Sequence, residues 1–337
     1  MLKIDVYNHI FPKKYFDKMI EVKPNHKDIG KRVRNVPFLM DLDLRFRMLD
    51  EFGDDYRQVL SITAPPLEIL GDPDVTPELA KIANDEMAEL VEKYDRFVGF
   101  TASLPLNNIE ASVAEIHRAV SQLGANGIQI FTNLAGQPWD QPEFLPIFEA
   151  ITAHDLPIWV HPTRGANFAD YVTEDKSKYE IWWTFGWPYE TSAFMARLVF
   201  SGYFDKFPNL KIITHHMGAM VPYFEGRVGP GWDQLGARTS DEDLSLILKS
   251  LKKRPLDYFK QFYADTALFG SVSGTKCGLD FFGVDQVLFA SDAPFDPEKG
   301  PGYIRQTIKI IEELDLTPKA RTKIFQDNAV QLLRLKL

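Results

Sequence analysis

The chain has 337 residues, 38 Lys and Arg against 47 Asp and Glu for a net charge of −9, and a single cysteine. The acidic balance excludes a nucleic-acid partner, which needs a concentrated basic face. The lack of any run of about 18 apolar residues excludes a membrane-spanning helix. Cys277 has no internal partner for a disulfide, so a reducing, cytoplasmic compartment is expected.

Taken in chain order, short apolar, β-branched runs alternate with helical patterns. The first run, 3–7, begins almost at Met1, which is read as leaving no room for a signal peptide. An excursion at 24–43 precedes the second run, 58–62, and a helix opening at Thr76-Pro77-Glu78 covers 76–94. The third run, 97–102, is followed by a helix over 108–123 that stops at Gly124. The fourth, 127–131, leads into a helix at 143–154 and the fifth run, 157–161. A long insertion, 162–205, separates it from the sixth, 211–215, and a second, 217–258, separates that from the seventh, 262–266. The eighth run, 287–291, is followed by a helix at 301–314. Mostly continuous apolar runs indicate strands buried on both faces. Eight βα units favour one (β/α)8 barrel over an open sheet, a single domain spanning 1–337 with its insertions on the C-terminal face.

Active sites of such barrels lie at the C-terminal strand ends. Tyr7 and His9 on strand one, His161 on strand five, His215 or His216 on strand six and Asp292 after strand eight all fall there. Residues i and i+2 of a strand share a face, so Tyr7 and His9 can reach one centre. Imidazole and carboxylate groups suit zinc, manganese or iron. Adjacent strand residues face opposite ways, so only one of His215 and His216 can look into the mouth. The remaining histidines, His26, His117 and His154, read as structural. Arg45, Arg47, Arg164, Arg227 and Arg238 lie near the expected mouth, and a guanidinium fork suits a carboxylate ligand. The cluster Trp182, Trp183, Phe185, Trp187 and Tyr189 equally suits a pocket wall for a planar ligand, the core of the insertion or an oligomer contact. Within it, Trp187 is the candidate substrate contact.

Several motifs run nearly the length of the chain: Ile4-Asp5-Val6-Tyr7-Asn8-His9-Ile10-Phe11-Pro12, Arg45-Phe46-Arg47-Met48-Leu49-Asp50 ahead of Gln58-Val59-Leu60-Ser61, Val160-His161-Pro162, Phe207-Pro208-Asn209-Leu210-Lys211, His216-Met217-Gly218 with Pro222, and Ala290-Ser291-Asp292-Ala293-Pro294-Phe295. Together they resemble the amidohydrolase-related (amidohydrolase 2) family typified by α-amino-β-carboxymuconate-ε-semialdehyde decarboxylase, with γ-resorcylate decarboxylase as a relative. The resemblance implies a distorted (β/α)8 TIM barrel. It implies a divalent metal, zinc first with manganese or iron as alternatives, on Tyr7, His9, His161 and Asp292. Tyr7 stands where the family has His and the resorcylate branch has a carboxylate. The resemblance places the base on His216, with His215 packing on the other face, and gives Asp292 a share of the catalysis. It assigns Arg45, or Arg47, to the substrate carboxylate, and Arg227 to the neighbouring subunit's substrate, hence a homodimer. The implied activity is non-oxidative decarboxylation of a small aromatic or unsaturated carboxylic acid. Hydrolysis or hydration of a small carboxylate or lactone is the alternative, and a degenerate barrel that only binds a carboxylate is a third reading.

Overall fold

The computed structural model describes residues 1–24 and 33–337. His26 and part of the 24–43 excursion lie outside the described residues. Eight strands follow in chain order: β1 Lys3–His9, β2 Tyr56–Ser61, β3 Phe97–Ala102, β4 Gly127–Phe131, β5 Ile158–His161, β6 Ile212–Thr214, β7 Tyr263–Asp265 and β8 Val287–Leu288. Each pairs with the next, all in parallel. The ring closes where Val6 N–H donates to Phe289 O (3.0 Å), Asp292 N–H to Tyr7 O (2.9 Å) and His9 N–H to Ala293 O (2.8 Å). The result is a closed (β/α)8 barrel, as the eight apolar runs predict.

The expected helices are present: Thr76–Lys93, Ile109–Ser121, Leu145–Ala153 and Pro301–Glu313. Asn108 caps the second by accepting from Ala111 N–H (3.0 Å). Thr76 is not the cap the sequence suggests. It lies inside its helix, and its hydroxyl donates to Asn107 Oδ1 (2.6 Å), tying the helix start to the next βα loop. The third helix begins as a 3-10 turn, Pro142–Phe144. The connection from β5 to β6 carries the helices Ile181–Thr184, Gly186–Phe200 and Tyr203–Lys206. Among the described residues, no helix is long and apolar enough to cross a membrane.

Two apolar layers organise the interior. Ile128, Ile130, Ile158 and Val160 join the layer between strands and helices. Ile4, Val6, Tyr7, Val59, Trp159, Ile213 and Leu288 fill the barrel itself. By the twofold period of a strand, Gln129 and Phe131 therefore face inward on β4. On β1 the register against β2 shifts between Asp5 and Asn8. This bulge lets Val6 and Tyr7 both join the interior and turns His9 inward after them.

Asp5 is the polar staple of the closure. Its fully buried carboxylate accepts from Tyr56 O–H (2.5 Å), Tyr7 N–H (3.1 Å), Ser291 N–H (3.2 Å) and the Ser291 hydroxyl. Burial pushes its pKa up to about 6, although every one of these donors opposes the rise. Asp5→Ala removes an acceptor shared by β1, β2 and the chain after β8. It is expected to lower the unfolding free energy by about 3 kcal/mol in urea titration, because the four donors stay buried without their partner.

Candidate metal and active site

The strand ends bring a compact set of side chains together. His9 Nε2 lies 3.0 Å from Asp292 Oδ1, and His215 Nε2 lies 3.6 Å from the same oxygen. His215, His216 and Asp292 place ligand atoms within 4.8 Å of one another. The His161 ring lies 5.5 Å from that of His9 and 6.1 Å from that of His215, centre to centre. Tyr7 stacks on His215 at 3.5 Å and stands 4.7 Å from His9. Tyr7, His9, His161 and Asp292 thus surround one small volume. His9, His161 and His215 are buried almost completely, as are Tyr7 and Asp292.

The second nitrogen of each histidine explains why these rings point as they do. His161 Nδ1–H donates to Pro162 O (2.6 Å), His215 Nδ1–H to Asp265 Oδ2 (2.5 Å) and His216 Nδ1–H to Ala267 O (2.5 Å). Ser61 donates its hydroxyl to Asn8 O (2.7 Å), so its oxygen accepts from His9 Nδ1–H (3.1 Å). Anchoring Nδ1 as the donor leaves Nε2 with its lone pair, the tautomer a metal ligand needs. His9 Nε2 and Asp292 Oδ1 would then meet as two acceptors at 3.0 Å, an arrangement that a cation relieves. The donor set, nitrogen and oxygen without sulfur, fits a divalent metal ion.

Electrostatics point the same way. Burial would raise the Asp292 carboxyl, but the adjoining His215 and His9 imidazoles hold it well below the usual carboxylate range. Burial, with the charges of His9 and His215, holds His161 well below the ordinary imidazole value. Burial and the charge of His215 push His216 down to about 4. His215 differs: burial lowers it, and Asp265 and Asp292 more than offset that, leaving it raised.

Two expectations change, those for His215 and Arg45. His215 does not pack away from the site; it lies between Asp265 and Asp292, and its ring centre is 3.4 Å from that of His216. The opposite-face rule fails because β6 ends at Thr214 and the backbone turns left-handed at His216, with φ of 53°. Met217, Gly218 and Ala219 continue left-handed, and a Cβ on Gly218 would lie 2.5 Å from the Phe282 ring. Arg45 does not face the mouth. It is 1% exposed and donates to His9 O (2.7 Å), Asn8 Oδ1 (2.6 Å) and Gln58 Oε1 (3.0 Å), which braces the end of β1 from behind. Arg47 is exposed in the last turn of the helix Leu42–Asp50. Arg227 is also exposed, with its guanidinium 5.6 Å over the Phe224 ring.

Trp187 does reach the site: its ring centre is 5.8 Å from that of His161, and its indole N–H donates to Arg164 O (3.2 Å). Phe131 covers His161 from β4, at 4.9 Å. Arg164 pairs with Glu190 (2.7 Å), which fixes the loop after β5 to the helix Gly186–Phe200. The sequence reading missed Asp265. It ends β7 as Asp292 follows β8, and besides orienting His215 it accepts from His216 N–H (3.1 Å) and Ala267 N–H (2.9 Å). A carboxylate at a strand end was the available signal.

The model of the amidohydrolase family matches residues 4–335. The γ-resorcylate decarboxylase of Polaromonas sp. strain JS666 is 32% identical over 88% of this chain and 89% of its own. The 2-amino-3-carboxymuconate-6-semialdehyde decarboxylase of Dictyostelium discoideum is 28% identical over 99% of this chain and 92% of its own. Among solved structures, a dihydroxybenzoic acid decarboxylase from Polaromonas sp. JS666, with bound manganese and the inhibitor 2-nitroresorcinol, aligns with a TM-score of 0.75. It is 26% identical over 99% of this chain and 97% of its own.

Asp265→Asn leaves the shape of the site but weakens the acceptor that orients His215. It is expected to lower affinity for a divalent metal by roughly 10- to 100-fold, read by chelator competition, with the melting temperature as a control for folding.

Proposed function

The chain belongs to the amidohydrolase family, and on that basis we propose that it is a metal-dependent, non-oxidative decarboxylase of a small aromatic or unsaturated carboxylic acid. The observation that carries the reading is the convergence of four Nδ1-anchored histidines on Asp292 beside two aromatic walls, Phe131 and Trp187. The relatives' substrates, a dihydroxybenzoate and an aminocarboxymuconate, share a carboxylate on an unsaturated carbon, and that defines the substrate class proposed here. Residues 1–337 act as one barrel domain in this reading.

Decarboxylation of such an acid exchanges CO₂ for a proton. The carbon bearing the carboxylate gains the proton, its bond to the carboxyl carbon breaks, and that electron pair returns to the unsaturated system. Tyr7, His9, His161 and Asp292 would hold the metal, which supplies positive charge to anchor and polarise the acid's oxygens. Asp292, between His9 and His215, is placed to take up a proton from solvent and deliver it to the carbon that loses CO₂. His216 is fixed by Ala267 O and offers Nε2 as the neighbouring proton acceptor. His215 links Asp265 to Asp292 and keeps the relay aligned. Phe131 and Trp187 exclude water and flank a planar ring.

The finer assignments extend the same reading. Manganese comes beside zinc as the first ion to test, since the donors are hard to borderline and the 26%-identical decarboxylase holds manganese. A homodimer is proposed because the insertions after β5 and β6 expose Tyr179, Phe185, Tyr189 and Tyr223 by 56% or more, with Arg227 among them. In that arrangement Arg227, or Arg47 within the same subunit, contacts the substrate carboxylate. Arg45 is left to brace His9. A cytoplasmic site of action accords with the lone Cys277.

His216→Ala is expected to keep its melting temperature within a few degrees and to lose CO₂ release from hydroxybenzoates or muconate-like acids by at least about 100-fold. Wild-type turnover in that variant would remove His216 from the mechanism. A product heavier than the substrate by one water, in place of CO₂ release, would replace decarboxylation with hydration or hydrolysis. Removing the metal with a chelator is expected to abolish turnover, and adding back manganese or zinc to restore it; activity that survives metal removal would overturn the metal-dependent reading.

A further inference from the structure

Beside the metal-binding cluster a small cavity opens at the ends of β2, β3 and β4. Its lining includes Ile62, Thr63, Leu67, Leu106, Phe131 and Gln129. Gln129 is 3% exposed, and its Nε2–H donates to Ile62 O at 2.6 Å. That bond settles the orientation of the amide, because a backbone carbonyl can only accept. It turns Oε1 away from Ile62, and among the described residues this buried oxygen has no hydrogen-bond partner. A buried amide oxygen without a donor is costly, and a ligand able to supply the donor recovers that cost. Phe131, two residues on and on the same inward face of β4, forms a wall of this cavity and also covers the His161 ring at 4.9 Å. Phe131 is thus the wall that this cavity shares with the His161 side of the reaction site.

We propose that Gln129 is a specificity-determining residue: its Oε1 accepts a hydrogen bond from a hydroxyl substituent on the acid bound at the metal site. This rests on the decarboxylase reading above. The chemistry of the pocket selects the substituent. Most of the lining residues are apolar, which disfavours a charged group. The one orphaned polar atom is an acceptor, which a hydroxyl satisfies and an ether, a methyl group or hydrogen does not. The cavity is small, so it suits a substituent and not a second ring. The tether to Ile62 holds the acceptor in place before the ligand arrives, so little ordering is required on binding. Discrimination by a buried, preset acceptor follows from leaving it unpaired when the wrong substrate binds.

The test uses the full-length, metal-loaded protein and two independent readouts. Calorimetry gives the affinities of phenol, catechol, resorcinol, hydroquinone and the corresponding methoxyphenols. CO₂ release gives kcat/KM for the matched mono- and dihydroxybenzoates. One dihydroxybenzene is expected to bind roughly 10- to 100-fold more tightly than phenol, with the gap lost in its methoxy counterpart. The isosteric Gln129→Met, which keeps the volume and removes the acceptor, is expected to erase that gap and the matching preference in kcat/KM. A wild-type gap that survives in Gln129→Met, or the absence of any gap in the wild type, overturns the proposal. Should Gln129→Met fail to fold, the wild-type comparison of hydroxy with methoxy ligands still decides it. If the binding gap appears and disappears as expected while no acid releases CO₂, the subsite stands and the decarboxylase reading fails.

Discussion

The seam between β1 and the chain after β8 governs this protein. Asp292 N–H on Tyr7 O and His9 N–H on Ala293 O are the bonds that close the ring. They also fix the distance between the first and last ligand-type residues. His9 and Asp292 are 283 positions apart in the chain, yet their side chains meet at 3.0 Å because their backbones are stitched together directly behind them. Asp5 holds the seam from below and Arg45 braces the end of β1 from outside. Chemistry and closure thus share the same few residues, and a loss of register at the seam would dismantle both.

Around that seam the protein invests in orientation. Each site histidine commits Nδ1 to a fixed oxygen, of three kinds: a serine hydroxyl, two backbone carbonyls and a carboxylate. The cost is a set of polar groups taken out of water, offset only when every one finds its partner. Burial keeps His161 and His216 neutral, while the neighbouring imidazoles keep Asp292 ionised. One negative charge faced by several bare lone pairs is an environment in which a divalent cation is the missing counterpart.

Much of this was legible in the sequence. Strands of a parallel barrel are buried on both faces, so their apolar runs stand out, and all eight run positions match strands. Position at the strand end then marked Tyr7, His9, His161 and Asp292, because a side chain's height in the barrel follows from where its run stops. What stayed hidden depended on departures from regular geometry. Alternation would separate His215 from His216 only if β6 continued, and it ends before them. Arg45 carries the residue type of an anion clamp, and only the folded chain spends its donors on His9, Asn8 and Gln58. Asp265 is an orienting residue: its place at a strand end is visible in its run, but its role shows only in its contact with the His215 ring. The β1 bulge leaves no mark in a pattern of buried residues, since both faces of the strand are apolar or capped by partners.

The left-handed stretch from His216 to Ala219 bears on anyone who would rebuild this centre elsewhere. Ordinary strand ends spread neighbouring side chains apart, so copying two histidines and an aspartate onto another barrel would not reproduce their convergence. The transferable unit is the backbone corner itself, with Gly218 fitted against Phe282. A graft that kept the side chains and straightened that corner would inherit the composition of the centre without its shape.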